Sequence, residues 1–92
     1  MDNEEIENNS YEANLIKNVL HMDVGQFERY KASAARGFIV FGCSFLYHLG
    51  HLLLNADIQN SVKIMNVWAK ECNEYDMLYR IYLAKEKAKI DE

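Results

Sequence analysis

Residues 37–56, GFIVFGCSFLYHLGHLLLNA, contain no Asp, Glu, Lys or Arg, whereas charges recur at short intervals through the rest of the 92-residue chain. Arg36 bounds the stretch on one side and Asp57 on the other. A segment of this kind is either the interior of a small domain or a membrane span. Twenty uncharged residues are long enough to cross a bilayer as a helix. Lys31 and Arg36 before the stretch, with Asp57 after it, would even orient such a span. Against this, Ser44, His48, His51, Asn55 and three glycines lie inside it and weaken insertion. The stretches on either side carry apolar stripes that must be covered, and a helix apolar all round is what they would cover. The expectation is therefore a buried core in a cytoplasmic protein with no membrane partner. A single-span membrane protein around Phe38 to Leu54 is the lesser alternative.

A chain this short forms one domain at most and buries only a modest share of its surface. Self-association is a usual supplement to so thin a stability margin. There is no proline and there are only four glycines, which suits long helices and leaves a β-protein without its turns. Cys43 and Cys72 each stand where an apolar side chain is expected, so reduced core thiols are predicted in place of a disulfide framework. The opening MDNEEIENNS is acidic and polar, unlike a secretory leader. Net charge is −4. Without a basic patch or tail, that balance argues against nucleic acid as a partner.

The helical spacings fall into three groups. Residues 1–9 read as a disordered acidic tail. Ser10 is placed to cap a first helix, with Tyr11, Leu15, Val19 and Met22 on its apolar face, ending between His21 and Asp23. Asp23 and Gln26 have the form of a capping box that starts a second helix. Phe27, Tyr30, Ala34, Phe38, Phe41 and Phe45 carry that helix into the uncharged stretch. Gly37, Gly42 and Gly50 each cost a helix about 1 kcal/mol relative to Ala. Close packing against a neighbour explains their presence, or a kink at one of them. Asn55 and Asp57 mark the next break, Asn as a left-handed stop and Asp as a cap. Ile58, Val62, Met65, Ala69, Cys72, then Leu78 or Tyr79, and Tyr82 form the stripe of a long last helix that frays after Ala84. The expected architecture is all-α: a three-helix bundle over residues 10–88, with a buried central helix, a long C-terminal helix and a frayed end at 89–92.

No pattern of catalytic residues is present. The glycines form no phosphate loop, and no serine sits in a nucleophile motif. Cys72 lies on the apolar stripe, where a thiol is inert. His48 and His51 are one turn apart and could form half of a metal site, but nothing in the spacing supplies the other ligands. The six residues HLGHLL, from His48 to Leu53, resemble the ELGDLL motif of all-α nucleotide pyrophosphohydrolases of the MazG type. His48 and His51 stand where that family has magnesium-binding carboxylates, and Glu28 has no upstream partner. Magnesium needs hard oxygen ligands, so neither that chemistry nor a cofactor is expected.

Two functional readings follow. In the first, the chain is a non-enzymatic interaction or regulatory protein that acts on a protein partner as a homo-oligomer. Small acidic chains of this composition suit an accessory or inhibitor protein of a phage or mobile element. The last stripe is wider and more aromatic than a three-helix core needs. Ile64, Trp68, Tyr75, Tyr79 and Tyr82 are its interface candidates. In the second, a helical oligomer holds a small anionic ligand or a metal ion, with Arg36, Tyr47, His48 and His51 as the binding candidates.

Overall fold

The computed structural model describes the backbone of Asn3–Asp91 and the side chains of residues 11–90. Five helices follow one another: α1 (Asn3–Leu20), α2 (Val24–Phe41), α3 (Ser44–Asn55), α4 (Ile58–Val67) and α5 (Ala69–Asp91). The all-α class stands. The three-helix arrangement is corrected to five, because two of the expected helices are each broken once. None of the described helices is long and apolar enough to cross a membrane.

The first break falls inside the uncharged stretch. Gly42 caps α2 with extended backbone, and its N–H still donates to the Phe38 carbonyl at 2.9 Å. Cys43 then serves as the N-cap of α3 without any side-chain hydrogen bond. The chain folds back on itself here. Gly50 lies against Ala35, Phe38 and Ile39, and Lys31 Nζ donates to the Ala56 carbonyl at 2.9 Å, so α3 runs antiparallel to α2. A continuous buried helix is thus replaced by a hairpin. Only Leu49, Gly50 and Leu53 of α3 are buried. Cys43 is exposed, contrary to the expected core thiol, whereas Cys72 is fully buried.

The second break is at Trp68, whose backbone departs from the helix between α4 and α5. The other boundaries follow their capping chemistry. Asp23 and Gln26 form the capping box, with Gln26 N–H donating to Asp23 at 2.7 Å and Asp23 N–H donating back at 3.1 Å. Asp57 caps α4 by accepting from Asn60 N–H at 2.8 Å. His21 takes the left-handed conformation, φ 57°, and stops α1. Asn55 ends α3 differently from expectation: its side chain donates to the His51 carbonyl at 2.8 Å, and Ala56 is extended. α1 begins at Asn3, seven residues before Ser10, and α5 continues to Asp91. The side chains of the expected acidic tail and of the Ser10 cap lie outside the described residues, as do those of Asp91 and Glu92 at the expected frayed end.

The organising element is α2. Phe27, Ala34, Ala35, Gly37 and Phe38 are buried along it. α3 packs antiparallel on one side. On the other, α5 runs parallel to it, since Tyr30, Ser33, Phe38 and Phe41 meet Asn73, Asp76, Tyr75 and Tyr82. α1 and α4 pack together, and Ile16, Val62 and Met65 join the same core. Small residues permit the closest approach: a Cβ at Gly37 would run into the Tyr75 carbonyl. The core thus draws on all five helices, with α2 between α3 and α5, and α5 extends past it.

Candidate functional site

A groove runs between α2 and α5 and meets the last turn of α1 at one end. Its volume is about 790 Å³. Leu20, Met22, Ala32, Leu83 and the rings of Tyr30 and Tyr79 supply apolar surface, and Arg29, Arg36 and Arg80 supply positive charge. The chain has three arginines in all, and they are these three; none of its seven lysines lines the groove.

The spacing of α2 explains two of them. Arg29, Ser33 and Arg36 recur at three to four residues, so they share a helix face. Both guanidiniums are exposed and make no hydrogen bond or ion pair among the described residues. Arg80 comes from α5, where it spans Asp76 one turn earlier. Its Nη2 donates to the carboxylate at 2.6 Å, and its Nε donates to both oxygens at 3.2 Å. Asp76 is almost wholly buried, whereas Arg80 is largely exposed. The pair therefore neutralises a buried carboxylate from the solvent side. That hydrogen bond holds Arg80 above its ordinary pKa. Tyr30 donates to the Asn73 side chain at 3.0 Å. Burial, and then the nearby Cys72 and Asp76, push its pKa up to about 12. It faces the groove as a neutral phenol.

As binding candidates, sequence reasoning names Arg36 but not Arg29, Arg80 or Asp76; the i,i+4 spacing of Asp76 and Arg80 does mark them as an ion pair, and that pair is present. The signal was available in Asp76. It lies four residues after Cys72 on the apolar stripe, and an acid there needs a cation one turn on. The stripe was instead continued to Leu78 or Tyr79, of which Leu78 is exposed and Tyr79 half-buried.

Arg36 is not brought to the other ligand candidates. Tyr47, His48 and His51 lie together on the outer face of α3, all exposed. The Tyr47 ring stands edge-on to both imidazoles, with centroids 5.3 and 4.7 Å apart. Among the described residues, no group of three or more His, Cys, Asp or Glu side chains is placed to hold a metal ion.

The interface candidates divide. Ile64, Trp68 and Tyr75 are half-buried against the chain's own core, where Trp68 meets Phe45 at 5.1 Å and Tyr75 meets Phe38 at 5.3 Å. Tyr79 lines the groove, and Tyr82 packs edge-on to Phe41 at 5.6 Å while remaining 38 % exposed. The exposed apolar surface around Tyr82 comes from other residues: Phe41, Met77, Leu78 and Ile81. On α5 the last three join Tyr82 at i, i+1, i+4 and i+5, which makes one continuous ridge.

No protein-family model, curated protein or solved structure matches the chain.

Proposed function

We propose that the protein is a non-enzymatic helical interaction module that acts on a protein partner as a homo-oligomer. The observation that carries this reading is the apolar ridge of α5. Phe41, Met77, Leu78 and Ile81 are each more than 40 % exposed, and with Tyr82 they form a contiguous surface. Large contiguous apolar patches on a folded protein mark sites of association.

The size of the molecule supports the same reading. Its accessible surface is 6530 Å², against about 5,500 Å² for a monomer of this mass. Its radius of gyration is 15.0 Å, against about 12 Å for a globule of this length. Part of the excess is the last turns of α5, where residues 83–85 and 87–90 are exposed. The total is comparable to the roughly 800 Å² that each partner buries in a standard interface.

The state of Cys72, Ser33 and Ser61 is in keeping with a non-enzymatic role. Burial, followed by the charges of Glu71 and Asp76, pushes the Cys72 thiol up to about 12, so it stays protonated. Ser33 and Ser61 give their hydroxyls to the backbone carbonyls of Asp76 and Ala56.

Sedimentation equilibrium in detergent-free buffer tests the proposal. The wild-type chain is expected to associate. Ile81→Glu combined with Met77→Glu is expected to give a folded monomer, since both side chains already face solvent. A wild-type chain that remains monomeric at its solubility limit overturns the reading.

A further inference from the structure

We propose that the arginine groove between α2 and α5 receives the acidic first half of α1 from a second copy of this chain. This inference rests on the homo-oligomer reading and says which charged groups hold the copies in register. It starts from how charge is segregated. All three arginines line one groove, in a chain whose net charge is −4. The first sixteen residues carry five carboxylates, on Asp2, Glu4, Glu5, Glu7 and Glu12, and no Lys or Arg. The most acidic run of the sequence and this arginine-lined groove are separate and opposite in charge.

Spacing matches as well. Arg29 and Arg36 are seven residues apart on a helix, two turns or about 10 Å along the axis. Glu5 and Glu12 are likewise seven apart within the bounds of α1. Two exposed guanidiniums at that interval suit carboxylates carried along a second helix better than one small anion, which would need them converged on a point. Arginine suits the role because its planar fork takes a carboxylate through two parallel hydrogen bonds. The other two charges of the groove, Arg80 and Asp76, already satisfy each other.

Within one chain, the length of α1 separates Glu5 from the groove. The groove touches α1 at Leu20, and Glu5 lies fifteen residues earlier in the same helix, about 22 Å away. The pairing is therefore between copies, and a two-fold arrangement would use it twice.

A charge-swap experiment decides the matter. One full-length variant carries Arg29→Glu and Arg36→Glu, and the other carries Glu5→Arg and Glu12→Arg. Each alone is expected to raise the dissociation constant of self-association by at least about tenfold. The equimolar mixture is expected to restore it, with an affinity that falls as salt rises from about 0.05 to 0.5 M. Circular dichroism confirms that each variant is folded. Should Glu12→Arg impair folding, Glu4→Arg with Glu5→Arg takes its place. Association unaffected by the swaps, or not restored by mixing, overturns this inference and leaves the homo-oligomer reading intact. A wild-type chain that does not associate overturns both. Inorganic phosphate or a duplex DNA oligonucleotide that binds the wild type and not the arginine variant, with self-association unchanged, assigns the groove to another ligand and also overturns the proposal.

Discussion

The two helices that matter most, α2 and α5, meet very differently along their length. At Gly37 the α2 backbone lies against the Tyr75 carbonyl, and Phe38 beside it is fully buried with its ring on Tyr75. One turn further along α2 and two along α5, Phe41 and Tyr82 still touch, but each is exposed by more than a third. Beyond them α5 runs on with Leu83 and Ile90 in solvent. The same pair of helices is thus a core at one end and an open apolar surface at the other. Buried apolar contact is concentrated in the closed half, and the open half leaves its apolar side chains uncovered.

That contrast predicts unequal costs for equal chemistry. Phe38→Ala removes a fully buried ring at the point where three helices meet and is expected to destabilise the chain by about 3–5 kcal/mol. Ile81→Ala removes a side chain that is 47 % exposed, and is expected to cost less than about 1 kcal/mol in the dissociated chain. Urea denaturation of both variants, at a concentration where the chain is dissociated, measures the gap. Similar values for the two would mean that the closed half is not where stability resides.

Gly37→Ala sharpens the comparison within the closed half. Ala is better than Gly in a helix by about 1 kcal/mol, so the substitution would stabilise an open site. At Gly37 the added Cβ meets backbone, which cannot rotate out of the way as a side chain does. Moving α5 away from α2 is expected to outweigh the propensity gain and leave a net loss of about 1–3 kcal/mol. A raised melting temperature would show that the two helices are less tightly apposed than described.

Much of this was legible in the sequence. The helical class, the capping box at Asp23 and Gln26, the cap at Asp57 and the stop at His21 were all readable, because they rest on local chemistry that needs no partner. The expected close packing is found at Gly37 and Gly50, and the alternative, a break, is found at Gly42. What was not legible depends on the third dimension. Apolar periodicity continues across Gly42 and across Trp68, so nothing local distinguishes one long helix from two packed against each other. The groove was missed for a related reason. Arg29 reads as an ordinary solvated position, and Arg36 was grouped with the wrong partners, until α5 is laid beside them with Arg80 facing the same space.

Arg80→Ala probes the edge between the two halves, with a smaller expected effect. It strands the Asp76 carboxylate, which is 5 % exposed and has no other side-chain partner among the described residues. A buried acceptor left unsatisfied costs about 1–3 kcal/mol. Because Arg80 itself is 71 % exposed, water can reach part of the vacated space, and the lower end of that range is expected. Adding Asp76→Asn should recover part of the loss, as the charge is then gone. A double variant no better than Arg80→Ala alone would place the cost in lost packing of the arginine stem.

The last effect vanishes at neutral pH and appears only in alkali. Tyr30 and Cys72 belong to the closed half, and burial leads the causes that raise both of their pKa values to about 12, from ordinary values of 10.0 and 9.0. Between those limits the folded chain holds protons that the unfolded chain has released. By linkage, stability is then fully present below about pH 9 and falls as pH rises toward 12. The onset assigns the group: Cys72 starts the decline near pH 9, and Tyr30 joins near pH 10. Cys72→Ala is therefore expected to delay the onset by about one pH unit, whatever its effect on stability at pH 7. Denaturation midpoints from pH 7 to 11 measure the slope for both chains. If Cys72→Ala left the onset unchanged, the closed half would not be the part that alkali opens first.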